Sequence, residues 1–330
     1  MRISCAFPTT MSSPEDIELA EQIGYERAWL YDTPQQSPDV WMSLALAAQR
    51  TSRIGLGPGV LVPNLRHPMT NAAATATLVG LAPGRVAVAF GTGFTGRRAM
   101  GYRAIPWSYM TAYIEAYCGL LRGEVVEWEG ASMQMLHPDG SAPVRPIEVP
   151  ILIGALGPKG RAVAEGHDGV FATTTLEGLE PGAFDWVAYL YWGTVLDPGE
   201  DASSERVLAA AGPGGALAYH ATYELYGRDA VADIPGGKEW LAVVDQRIEH
   251  ERHLDVHIGH CIHLNQADRA AWATTGGTLL PSTTVTGIAY DVRARIGQLG
   301  EQGVTEVVFQ PCGPDIRREL ETMFAAAGGS

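Results

Sequence analysis

The chain of 330 residues is poor in cysteine: Cys5, Cys118, Cys261 and Cys312 lie far apart and form no C-x-x-C pair. Thiols dispersed in this way argue against a disulfide framework and against a structural zinc site. Long hydrophobic runs are also missing. No stretch approaches the roughly 20 apolar residues that span a bilayer, and the opening M-R-I-S-C-A-F-P-T-T meets Ser12, Ser13 and Pro14 before the apolar core of a leader could form. A cytoplasmic protein with no membrane partner is expected. Positive charge is scarce, with 23 Lys and Arg against 37 Asp and Glu, a formal net charge of −14. Such a chain repels a polyanion, so nucleic acid is not an expected partner and a small organic molecule is. No internal repeat is visible, and the short Ala-Gly tail is the only low-complexity tract. What remains is 46% hydrophobic, enough to bury a substantial core.

Short β-rich runs alternate with amphipathic helical patterns along the whole chain. R-I-S-C-A-F reads as a strand and S-S-P-E-D-I-E-L-A-E-Q-I-G as a helix, with Ser13 as its cap, Pro14 at its first position, Asp16 completing a capping box and Gly24 ending it. Further strands are expected at R-A-W-L-Y, R-I-G-L-G-P-G-V, R-V-A-V-A-F, P-I-L-I-G, G-V-F-A, V-H-I-G-H-C-I-H and T-E-V-V-F. Strands apolar on both faces and separated by helices imply a parallel sheet, and eight such units imply an α/β fold of the (β/α)8 (TIM) barrel type. Two insertions are expected, one after strand four (Gly91–Pro150) and a mostly helical one before strand seven (176–250). Residues 1–330 are read as a single domain.

Barrel active sites lie at the carboxyl ends of the strands. Two such ends stand out. In G-A-L-G-P-K-G-R, glycines close a strand and Pro158 opens a helix, so free backbone N–H groups could cradle a phosphate beside Lys159 or Arg161; an ordinary strand-to-helix turn reads equally well. In G-P-G-V-L-V-P-N-L-R-H-P, two glycines would let a flat ligand approach the backbone, although a bulged strand end explains them too. F-G-T-G-F-T-G-R-R adds side-chain-free backbone, with Arg97 or Arg98 placed to meet a charged tail.

The run Y-D-T-P, D-V-W-M-S-L-A-L-A-A, G-P-G-V-L-V-P-N-L-R-H-P, G-R-V-A-V-A-F-G-T-G, A-M-G-Y-R-A-I-P-W and I-L-I-G-A-L-G-P-K-G-R-A-V-A-E resembles, in order and spacing, the luciferase-like flavin- and deazaflavin-dependent oxidoreductases. Their methylene-tetrahydromethanopterin reductase-like branch is the nearest match. The resemblance implies a barrel that binds coenzyme F420, a 5-deazaflavin, and transfers hydride between it and a small organic substrate; it also implies a homodimer. By the same resemblance Gly59-Val60 matches a bulge that often carries a non-proline cis peptide under the cofactor ring, and Asp32 matches an acid near the cofactor. Gly91, Thr92, Gly93 and Thr95, with Arg97, would line the cofactor's tail, and Ala155, Leu156, Gly157, Pro158 and Lys159 would receive its phosphate. Two departures stand against a direct transfer of substrate. Ala6 replaces the acid of the pterin reductases, and Thr33 and Phe94 replace the His and Glu of the sugar-phosphate dehydrogenases. The alternatives are an FMN-dependent monooxygenase that uses oxygen, and a barrel that binds a flavin without turnover.

Five of nine histidines fall in H-E-R-H-L-D-V-H-I-G-H-C-I-H-L-N, His250 to Asn265. On one helix they would share a face and invite a metal, but Gly259 and the β-branched Val256, Ile258 and Ile262 favour a strand from Val256, which splits that face. No metal site is expected. His257 and His260 are either structural or face the cofactor, and the resemblance, which includes a similar H-x-G-H run, favours a proton-donating role for one of them, with Asp32 as the fallback. His250 and His253 are read as ending the preceding helix. Trp186, Tyr189, Tyr191 and Trp192 are read as packing residues of a helix, and Cys312 as a packed thiol.

Overall fold

A computed structural model of the chain describes residues 1–155 and 157–329. Among them, eight parallel strands close into a barrel: β1 Arg2–Phe7, β2 Arg27–Leu30, β3 Gly55–Leu61, β4 Val88–Phe90, β5 Ile151–Gly154, β6 Gly169–Thr173, β7 Val187–Trp192 and β8 Glu306–Gln310. The closing pair, β1 with β8, sets Cys5 opposite Phe309. Alternation along each strand divides the apolar residues between two cores. Cys5, Phe7, Leu30, Val88, Ile153 and Phe309 pack outward against the helices. Ala6, Trp29, Ala89, Leu152, Phe171 and Val308 fill the barrel itself. Large rings sit opposite missing side chains. A Cβ on Gly57 would stand 1.9 Å from the Ala87 carbonyl oxygen, so β3 and β4 approach as they do only because that residue is glycine.

Polar side chains close both ends of this core. At the amino end Glu306, fully buried, accepts the indole N–H groups of Trp29 at 3.0 Å and Trp186 at 2.6 Å. At the carboxyl end Gln310 Oε1 accepts from Tyr31 Oη and Trp192 Nε1, each at 2.6 Å, while its amide nitrogen donates to the Cys261 carbonyl. Buried polar groups need such partners, and these also fix the indole and phenol rings.

Strand seven is not the histidine run but V-A-Y-L-Y-W, Val187–Trp192, which pairs with β6 and β8. The aromatic residues expected on a helix therefore belong to the barrel wall. Six residues are too few to display a helical period, and alternating aromatic side chains suit a pleated surface covered on both sides. His250–Asn265 instead forms a short 3-10 turn, the helix Arg252–His257 and a tight loop in which Gly259 and Cys261 take φ of 70° and 61°. The expected insertion before strand seven consequently follows it: helices between Glu205 and Thr283 lie between β7 and the last crossover helix, Ala289–Glu301. They carry a small core of their own around the buried Trp240, Val244, Val256 and Ala271. The insertion after strand four is as expected, with a helix at Trp107–Arg122 and a hairpin of Val126–Trp128 and Ala131–Met133. One cap differs from expectation. The first helix is Ser13–Ile23, Ser12 occupies its cap position without a side-chain cap, and the Ser12 hydroxyl donates to Asp16; Gly24, at φ 118°, ends the helix as read.

Candidate active site

The carboxyl ends of the strands and the insertion after β7 enclose a cavity of about 430 Å³. That is the size of a small-ligand or cofactor site. Its floor is built by β3, β4 and β5. The Gly59–Val60 peptide is cis, and the Val60 side chain rests over the ends of β4 and β5. A Cβ on Gly91 would come within 2.6 Å of Val60 Cγ2, and one on Gly154 within 3.4 Å of Cγ1. Glycine at both places leaves a flat apolar shelf. Thr92, Gly93 and Thr95 continue the lining, and Gly157 borders it from the far side of β5. The opposite wall comes from β7 and from the helix Glu205–Tyr226, through Leu190, Trp192, Leu217 and Ala221.

A carboxylate and an imidazole, Asp32 and His260, are among the groups lining this space. Asp32, 3% exposed at the end of β2, receives Arg66 Nη1 on Oδ1 at 2.7 Å, while its Oδ2 is buried with no hydrogen-bond partner among the described residues. Burial raises the Asp32 carboxyl above its usual range and the Arg66 guanidinium opposes the rise. The same guanidinium holds Asp39 at 2.7 Å, and Asp39 caps the helix Val40–Arg50 through the amides of Trp41 and Met42. Strand end, loop and helix start are thus joined by one arginine.

The second group is His260. It sits in the loop after the helix Arg252–His257, 8% exposed, with Nε2 at 3.3 Å from Thr95 Oγ1 and Nδ1 at 2.7 Å from Nδ1 of His220. Burial, reinforced by the neighbouring His220 and His257, holds the His260 imidazole well below its ordinary range, so it is neutral at neutral pH. His257 lies behind it, bound through Nε2 to Glu224 at 2.9 Å, and Glu224 pairs with Arg98 at 2.8 Å. Burial lowers the His257 imidazole as well, with Glu224 acting against it.

The predicted residues separate accordingly. Asp32, Gly59, Val60, Gly91, Thr92, Gly93, Thr95, Gly157 and His260 come together around one cavity. His257 stands one layer back. Ala155 is buried beside the cavity, Pro158 and Lys159 are exposed at the start of the helix Pro158–Ala164, and Leu156 lies outside the described residues. Arg97 stacks over the Tyr102 ring and donates through Nε to the Arg103 carbonyl at 2.6 Å, so it leaves the cavity wall. His250 and His263 are exposed. Cys312 is a packed thiol, as read: burial pushes it up to about 12. Among the described residues, no group of His, Cys, Asp and Glu is arranged to hold a metal.

Two participants escaped the sequence reading, His220 and Asp268. His220 gives no pattern within the Ala- and Tyr-rich helix around it. Asp268 does give one: N-x-x-D at the start of a helix is a capping box, and Asn265 and Asp268 form it here. That signal reports a helix start and nothing of the histidine beside it.

Comparison with known proteins gives a consistent picture. A family model described as luciferase-like monooxygenase matches residues 14–183. A 5,10-methylenetetrahydromethanopterin reductase of Archaeoglobus fulgidus is 25% identical over 334 residues, covering 92% of this chain and 91% of the relative. An F420-dependent glucose-6-phosphate dehydrogenase of Beutenbergia cavernae is 32% identical over 209 residues, 58% of each chain. Among solved structures, the coenzyme F420-dependent tetrahydromethanopterin reductase of Methanopyrus kandleri superimposes with a TM-score of 0.67 at 20% identity, over 98% of this chain and 97% of the other.

Proposed function

The chain belongs to the luciferase-like monooxygenase family, and from that premise we propose that it is an F420-dependent oxidoreductase that exchanges hydride with a small, weakly charged organic substrate. The observation that carries this reading is the shelf made by Val60 over Gly91 and Gly154, a flat apolar surface at the carboxyl rim of the barrel. It fits a planar tricyclic ring, and Asp32 lines the same cavity beside it. The reductase and dehydrogenase relatives support the deazaflavin. Lys159, exposed and without an ion pair among the described residues, is the cation assigned to the cofactor's phosphate, together with the backbone of Ala155, Gly157 and Pro158.

When bound, the deazaflavin supplies a carbon that accepts or gives hydride. The chain supplies the rest. Val60 and the glycines would support the ring, and Leu190, Trp192 and Leu217, which line the same cavity, would keep water from it. His260, neutral and facing Thr95, holds or gives the proton that accompanies hydride, with Asp32 as the second candidate. His257 acts through packing and through Glu224 and stays off the reacting atoms.

The family description favours one second reading, an FMN-dependent monooxygenase. Binding titrations with F420 and with FMN, followed by oxygen uptake with whichever binds, decide between the two. F420 is expected to bind and to turn over without oxygen, and Lys159→Glu to weaken its dissociation constant about tenfold, roughly 1.4 kcal/mol. Selective FMN binding with oxygen consumption would replace the first reading by the second.

A further inference from the structure

The polar chain that begins at Thr95 on the cavity wall runs inward to a buried carboxylate. Asp268 Oδ1 accepts Trp240 Nε1 at 2.8 Å and meets His220 Nε2 at 2.9 Å; Oδ2 receives the Asn265 backbone N–H at 3.1 Å. A carboxylate only accepts, so His220 Nε2 carries a hydrogen. With Asp268 taking the Nε2 hydrogen and no second proton on the ring, His220 turns a lone pair at Nδ1 toward His260 Nδ1, 2.7 Å away. Two lone pairs do not face each other at hydrogen-bond distance. His260 Nδ1 must therefore hold the hydrogen, which leaves Nε2 as an acceptor beside Thr95 Oγ1 at the cavity wall.

We propose that Asp268 and His220 are positioning residues that present His260 Nε2 as a proton acceptor and then take over its proton, so that the substrate class of this cavity is an alcohol oxidised to a carbonyl. The proposal rests on the hydride-transfer reading above. The substrate's C–H bond breaks and its electron pair leaves with hydrogen to the bound oxidised cofactor. The O–H bond breaks, its proton passes to His260 Nε2, and the carbon–oxygen double bond forms. The hydrogen on His260 Nδ1 moves to His220 Nδ1. The cation ends on His220, next to Asp268, and the imidazole at the cavity is neutral before and after. The reverse sequence reduces a carbonyl.

The surroundings favour this destination of the charge. His260 is faced by His220, Thr95 and His257, the two ring centroids lying 4.9 Å and 5.4 Å away, and none of them carries a negative charge. Glu224 and Arg98 are committed to His257 and to each other, and His253 adds a further imidazole beyond His257. The one carboxylate in the chain of bonds, Asp268, touches His220.

Long-range proton–nitrogen correlation spectra of cofactor-free protein carrying nitrogen-15 histidine test this directly at pH 7.5, with His220→Gln and His260→Gln used for assignment. The Nδ1–H tautomer is expected for His260 and the Nε2–H tautomer for His220; an Nε2–H tautomer at His260, or tautomers averaged at both rings, overturns the proposal. In turnover with small alcohols, His220→Met should lower kcat by about 100-fold or more with KM and the F420 dissociation constant unchanged. Undiminished kcat also overturns it. Should wild-type protein fail to bind F420, the cofactor reading falls while the tautomer spectrum still decides the relay; should His220→Met not fold, the wild-type spectrum decides alone.

Discussion

His257 and His260 lie buried against each other, and burial lowers both imidazoles below the range they have in an unfolded chain. As pH falls through about 6.5, the unfolded chain takes up protons at these positions and the folded protein does not. Stability is therefore full above that pH and is lost progressively below it, down to the lowered folded values. Thermal melts at pH 7.5 and pH 5 should show a fall in Tm that is smaller in His260→Gln, where one of the two groups no longer titrates. Equal falls in both proteins would mean that the acid sensitivity lies elsewhere. The same residue scale shows how little of the site chemistry a linear motif contains. The Asp32 carboxylate was legible at the end of a strand, whereas its tie through Arg66 to Asp39 required the loop between Leu61 and Pro68 to fold back.

The loop from Ile258 to Leu264 is the element that turns His260 into the cavity. It depends on Gly259, whose φ is 70° and whose Cβ, if present, would lie 2.0 Å from His263 Nδ1 and 2.8 Å from its carbonyl oxygen. Gly259→Ala should cost about 1–3 kcal/mol and, because the loop must shift to make room, lower turnover more than it lowers occupancy by cofactor. Denaturant unfolding together with kcat and the cofactor dissociation constant checks both parts; a variant with wild-type kcat would dissociate the loop's shape from the chemistry. This element was the chief misreading of the sequence. Val256, Ile258 and Ile262 have β-branched character, yet the loop also contains Cys261 at φ 61°, a conformation no propensity scale anticipates. The true strand, Val187–Trp192, was concealed by aromatic residues whose spacing suits several elements, and became a strand because β6 and β8 stand on either side of it.

At the scale of the whole molecule, a net charge of −14 opposes the approach of a phosphorylated cofactor. With a screening length of about 10 Å at 0.1 M salt, the repulsion weakens as salt is added. Stopped-flow association rates for F420 should rise between 20 mM and 200 mM salt and then level off. A falling rate would show that Lys159 and its neighbours govern the encounter rather than the net charge.

The barrel itself could be read from the chain because its cause is local and repeated. Runs such as R-V-A-V-A-F and T-E-V-V-F are apolar on both faces, they alternate with capped helices, and only a closed or fully covered parallel sheet buries both faces at once. The glycines of the shelf were legible for the same reason, as breaks at the ends of such runs. What tertiary structure alone decided is which six residues complete the wall and which buried groups meet behind it. His220, His260 and Asp268 are separated by 40 and 48 positions. Hydrogen bonds of about 3 Å between residues so far apart follow from how an insertion folds over the rim, and periodicity carries no record of that.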